Sequence, residues 1–312
     1  MGNLPYIRDS YHDGTSLKER AFSLDDAQYF YKIFRPKSAI PVSMVKKVNS
    51  VAAIDKEFSL KGIQFGNWVT TEDKYNYLAI TYLCLKDINK ILKFKGQNMG
   101  LNGLLALSYG ARGVSSAAAH FDALNQVINI TRYWRTDKIN KERMNFGLSP
   151  IPNIPKEQRL LKTGGAGAMA HEYGHFLDYS LGRYIDTNKD SNWLSGPYRN
   201  SKTKIEYSKN HVLRNKLNNV LNIALEKPDG KPTAFFERIK PKPNKSDYWI
   251  RRLEVFARIF EQYISFKMKE LKIDNKFLSQ PVYDPHYYLR PAEFKKVLKP
   301  MDDLIKEMRK VV

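Results

Sequence analysis

Cysteine is nearly absent: the chain of 312 residues has one, Cys84. A lone thiol excludes an intrachain disulfide and a thiolate zinc cluster, and in the run Leu83-Cys84-Leu85 it reads as a small buried hydrophobe. Long apolar runs are missing too. No stretch approaches the roughly eighteen residues of a transmembrane helix, and the first residues, Met1 to Tyr6, lack the apolar core of a signal peptide. Tyr6 stands where a myristoylation site wants Ser or Thr. We therefore expect a cytoplasmic protein with no membrane partner. Acidic residues are in short supply, 32 against 52 Lys and Arg, which leaves a formal charge of +20. Such a field favours nucleic acid, acidic proteins or an anionic surface; the plainer reading is a Lys-rich bias that only keeps the protein soluble.

With 42% hydrophobic and 12% aromatic residues the chain is globular, and its length allows one large domain or two ordinary ones. Histidine is scarce, with six in all. Two of them fall in His171-Glu172-x-x-His175, a spacing that chance would produce in roughly one of two hundred such chains. Positions four apart in a helix stand one above the other, so both imidazoles can reach one zinc ion. Glu172 lies beside them and can act as base on a water there. Met169, Phe176 and Leu177 give the helix an apolar stripe, and Gly182 is a natural C-terminal cap. Ala166, Ala168, Ala170 and Gly174 are small enough to let a neighbouring backbone come close.

A catalytic zinc site needs a third protein ligand. The strongest helical pattern after the histidines begins at Asp247 and keeps Trp249, Leu253, Phe256, Phe260 and Ile264 on one side. Glu254 interrupts it between Leu253 and Val255-Phe256-Ala257, where an unpaired carboxylate would be costly to bury. Either Glu254 is the third ligand, or it pairs with Arg251 or Arg258. Glu261, seven residues on, is expected behind the ligands or in a salt bridge. Asp178, one turn beyond His175, can accept a hydrogen bond from a ligand imidazole.

The remaining elements are expected as follows. Residues 1–59 form a helical extension, with one helix capped near Ser23 and ending before Pro36 and another running from Ser43 to about Phe58. Residues 62–69 suit a strand or tight loop, a helix starts at Thr71, and 104–109 is a buried strand. Residues 117–122 and 126–131 make a hairpin whose second arm alternates, which predicts one packed and one wetter face. An edge strand of this kind beside the active-site helix can pair with an extended peptide. His120 on the first arm is a structural histidine or a further site residue. Residues 133–163 are basic and proline-bearing, and read as an inserted loop region. Residues 211–226 form an amphipathic helix, and a basic helix from Pro291 is kinked or restarted near Pro300.

Several of these segments, in this order, resemble the first family of large polyvalent-protein-associated domains. They are Gly62-Ile63-Gln64-Phe65-Gly66-Asn67-Trp68-Val69, Leu107 to Gly113, Ala119-His120-Phe121, Val127 to Thr131, the Gly-Ala-Gly lead into His171 to Asp178, and Leu253 to Glu261. The resemblance spans roughly residues 60 to 310. It implies an α+β, zincin-like metallopeptidase domain over 60–312, mostly helical with a small mixed sheet beside the active-site helix. It also implies a phage or conjugative-element protein, delivered with the DNA into the cytoplasm of a host or recipient cell. A more distant similarity, to lethal-factor-type zincins, likewise puts Glu254 as third ligand, and it places Tyr248 near the developing oxyanion.

The expected function is thus a zinc-dependent endopeptidase acting on a protein or peptide. His171, His175 and Glu254 bind Zn2+, Glu172 and Tyr248 are catalytic, and Asp178 and Glu261 support the ligands. The rival is a basic nucleic-acid or partner-binding module with a structural or vestigial zinc site. A third reading is a zinc hydrolase of non-peptide amides or esters.

Overall fold

The computed structural model describes residues 36–40, 51–66, 69, 71–110, 119–131, 136–155, 165–186, 192–197, 211–241, 246–280 and 282–312. The helix expected over 23–35, the first part of the one expected from Ser43 to about Phe58, and parts of 133–163 lie outside these residues. The chain divides into two compact units, one made of 1–87, 99–169 and 272–280, the other of 88–98, 170–271 and 281–312.

The first unit is built on a mixed sheet in the order β1-β2-β4-β3. Its strands are β1 (Gly62–Phe65), β2 (Ala106–Tyr109), β3 (Ala119–Asp122) and β4 (Val127–Ile130). The first three in that order run parallel, and β3 closes the edge antiparallel to β4 through the expected hairpin. One face carries Ile63, Phe65, Leu107, Tyr109, Ile128 and Ile130. Helix α2 (Thr71–Leu92) packs on it, with Tyr77 stacked on Tyr109 at 4.6 Å. The opposite face holds a polar rung, Gln64-Ser108-Asn129-His120, aligned by strand register. All four residues of β4 are buried, so the expected wetter face is instead covered. The alternation was a true strand signal, but polarity there marks buried side chains of a central strand. Helix α1 (Val51–Phe58) precedes β1 and packs on it. Gly100 passes so close to the turn after α1 that a Cβ on it would lie 1.9 Å from the Ser59 carbonyl oxygen. Helix α3 (Thr136–Asn145) is amphiphilic only weakly and buries none of its residues.

The second unit is helical apart from a short hairpin, β5 (Asn192–Trp193) with β6 (Gly196–Pro197). Its helices are α4 (Met169–Ile185, with Ala170 onward in this unit), α5 (Val212–Leu225), α6 (Ala234–Ile239), α7 (Arg252–Glu270) and α8 (Pro291–Val311). Helix α4 does not stop at Gly182. The Asp186 N–H still bonds the Gly182 carbonyl, and this glycine is not among those with positive φ, so it does not cap the helix. Helix α8 likewise runs through Pro300. Phe294, Val297, Met301, Leu304, Ile305 and Met308 are buried along it, and packing against α5 outweighs the hydrogen bond that proline forgoes. Arg309 donates to the Ile91 and Leu92 carbonyls at the end of α2, capping it with a cation.

Candidate metal centre

Helix α4 is buried almost all round: Ala170, Tyr173, Phe176 and Leu177 are each at most 1% exposed. A helix with so little solvated surface before its last turn must meet a neighbour, and Gly174 sets how closely. A Cβ on Gly174 would stand 3.1 Å from Phe260 Cδ1 and 3.3 Å from the Ala257 Cα, tighter than an ordinary contact. The missing methyl therefore lets α7 lie directly against α4. Glu254, three residues before Ala257, is carried to the two histidines by that approach.

The result is a three-donor cluster, His171, His175 and Glu254, whose ligating atoms lie within 4.8 Å of one another. Glu254 Oε2 is 3.6 Å from His171 Nε2 and 3.6 Å from His175 Nε2. Tetrahedral bonds of about 2.0–2.1 Å place ligand atoms about 3.3 Å apart, so the spacing suits a metal ion after small rotations. The donor chemistry suits one too. Glu254 is 7% exposed and His175 6%, yet Glu254 Oε2 has no hydrogen-bond partner. A buried carboxylate oxygen left in that condition is costly unless a cation meets it.

Charge points the same way. Glu172, Glu254 and Glu261 are all buried here, and Arg258 is the buried guanidinium on their side of α7. Burial works to lower the His171 pKa, but the Glu254 and Glu261 carboxylates outweigh it and raise it to about 10. Burial likewise works to raise Glu254, and the two imidazoles outweigh that, holding its carboxyl well below the usual range. A surplus of buried negative charge draws either a proton or a divalent cation to this point.

A second rank of residues fixes the donors. Glu261 Oε2 is 3.4 Å from His171 Nδ1 and accepts from the Tyr288 hydroxyl at 2.9 Å. Asp178 does not pair with His175 directly. Its Oδ1 accepts from the Ser195 N–H at 2.7 Å and its carbonyl from the Leu194 N–H, so it ties the β5-β6 hairpin to α4. Burial pushes Asp178 up to about 6, against the Ser195 bonds and the nearby His175. Arg214 holds the same hairpin through the Trp193 and Leu194 carbonyls and pairs with Asp186. The Trp193 ring then meets His175 edge-on, 6.0 Å between centres.

Tyr248 is not on α7, as the apolar spacing suggested. It opens a 3-10 turn, Tyr248–Ile250, and Arg251 leaves helical geometry before α7 begins at Arg252. The phenol is 38% exposed and faces the Glu254 carboxylate. Burial first, then Glu254 and Glu172, hold it above the usual tyrosine range. The alternative partners of Glu254 are engaged elsewhere: Arg251 pairs with Asp247 and Arg258 donates to the Trp249 carbonyl. His120 lies on β3 in the first unit. Sequence reasoning missed Tyr288, Trp193 and the hairpin clamp of Arg214, which no spacing connects to the histidines. Arg258 carried a signal, its place one turn after Glu254.

Residues 240–312 match the family model described as Large polyvalent protein-associated domain 1, and Glu254, Arg258, Glu261 and Tyr288 sit within the matched stretch. No curated protein and no solved structure gives a significant match to the chain.

Proposed function

We propose that this chain, whose residues 240–312 match the model of a large polyvalent protein-associated domain, is a zinc-dependent, zincin-like hydrolase that cuts peptide bonds in a protein substrate. The observation that carries this reading is the convergence of His171, His175 and Glu254 on one point, with Glu172 on the same helix as the imidazoles. The donor set favours zinc, and three protein donors leave a fourth position open. Zinc bound there supplies Lewis acidity and lowers the pKa of water. Glu172 takes the proton of the attacking water and returns it to the leaving amine. Tyr248, facing the same carboxylates, donates a hydrogen bond to the carbonyl oxygen as charge builds on it. Glu261 keeps His171 oriented by accepting at Nδ1, so that Nε2 faces the donors.

The test is metal content followed by cleavage. Native protein reconstituted with zinc should hold about one ion per chain, and Glu254→Ala and His175→Ala should lose it. Glu172→Gln should keep the ion while cleavage of a peptide library falls by about 10²–10⁴-fold. Undiminished cleavage by Glu172→Gln would sink the mechanism, and zinc kept by Glu254→Ala would move the third donor elsewhere.

The +20 charge supports a second, compatible reading, a nucleic-acid contact that brings the hydrolase to its target.

A further inference from the structure

Helix α7 carries its site residues on one face, Glu254, Arg258 and Glu261 at positions i, i+4 and i+7. Glu254 faces the imidazoles of His171 and His175, and Glu261 faces His171. Arg258 lies between them, 2% exposed, and bonds neither carboxylate. Its Nη2 donates to the Trp249 carbonyl, and its guanidinium lies 5.1 Å from the centre of the Trp249 ring. Its Nε and Nη1 are buried without a hydrogen-bond partner. Arg214, equally buried, instead spends Nη1 on two carbonyls and Nη2 on Asp186. A guanidinium held between two carboxylates yet committed to a tryptophan has a geometric task at that tryptophan.

Trp249 is the middle residue of the turn that carries Tyr248. The turn itself is slight: the Ile250 N–H bonds the Asp247 carbonyl at 3.1 Å and the Arg251 N–H the Tyr248 carbonyl at 3.2 Å. Beyond the Arg251–Asp247 pair that spans it, the indole braces it: Tyr287 stacks against the ring at 4.0 Å, Arg258 covers it, and Tyr248 meets it edge-on at 5.1 Å. We propose that Arg258 is a positioning residue: by gripping both the carbonyl and the ring of Trp249, it holds the Tyr248 hydroxyl at the metal centre. The grip needs a planar cation that can stack and donate together, which lysine cannot do. The role rests on the hydrolase reading above, because Tyr248 has work there only if a carbonyl is bound. Displacing such a donor by about 1 Å is enough to cost on the order of 10²-fold in rate.

Two measurements on zinc-reconstituted, full-length protein test this. The first is amide hydrogen exchange over residues 246–252 in native protein and in Arg258→Lys and Arg258→Met. Both variants should exchange at least ten times faster there, with α4 and the rest of α7 unchanged. The second is a double-mutant cycle on a quenched fluorescent peptide selected by the native protein. Arg258→Lys should keep its zinc and its KM within twofold and lose ten- to a hundredfold in kcat. In a Tyr248→Phe background the same change should cost less than twofold. Equal losses in both backgrounds, or unchanged exchange in the turn, overturn the proposal. If native protein loaded with zinc cleaves no peptide, the hydrolase reading fails, and unchanged exchange would then dismiss the grip as well.

Discussion

Single residues in this chain divide into those whose surroundings complete them and those left waiting. Asp55 on α1 is of the second kind: its Oδ1 is buried without a hydrogen-bond partner, and burial pushes its carboxyl up to about 7. Because the folded pKa is raised, the folded state is favoured while Asp55 is protonated, fully so below its unfolded value near 4. That advantage is lost as pH rises from there through about 7. Asp55→Asn should therefore leave stability at pH 4 nearly unchanged and raise it by up to about 4 kcal/mol at pH 8, a difference that urea unfolding at the two pH values resolves. Equal effects at both would mean that Asp55 is ionised in the folded state throughout. Glu254 was legible in the sequence for the same reason: a carboxylate amid Leu253, Val255 and Phe256 needs a partner. Arg258 was legible only as a charge, because what it grips, a carbonyl and an indole in a turn, is fixed by tertiary packing.

Elements follow the same division. The histidine pair could be read because both members ride one helix at a spacing that helical geometry alone interprets. The hairpin of β3 and β4 could be read from alternation, although the covered polar face could not, since burial depends on what else folds over it. The start of α7 was misplaced because Trp249 continues the apolar spacing into a turn that is not helical. The contact between α4 and α7 hangs on Gly174, whose missing side chain is worth more than its poor helix propensity. Gly174→Val should push against Phe260 and Ala257, lower stability by about 1–3 kcal/mol and weaken zinc binding, as thermal unfolding with and without zinc would register. A stabilised Gly174→Ala, as helix propensity alone predicts, would show the helices have room to spare.

At the scale of the whole molecule the charge is the dominant property, and the structure describes where some of it goes. On α8, Lys299 pairs with Asp303, Lys310 with Glu307, and Arg309 with carbonyls, whereas Lys295, Lys296 and Lys306 are exposed. On the nucleic-acid reading these three should contribute a slope of about −3 to log affinity against log salt for duplex DNA. Replacing them with alanine should flatten the slope by that amount, and an unchanged slope would place the contact elsewhere. Among the described residues no helix is long and apolar enough to cross a membrane.

The candidate metal centre draws its donors from two places in the chain, and that has a consequence for what a partial match means. The stretch that carries the family match, 240–312, holds Glu254 and its supporting side chains but neither histidine. Transplanted into another protein, it would bring a carboxylate, an arginine and an aromatic turn, and no centre. A match to this stretch in another chain therefore speaks for the carboxylate donor alone and is silent on the two histidines that would complete the cluster.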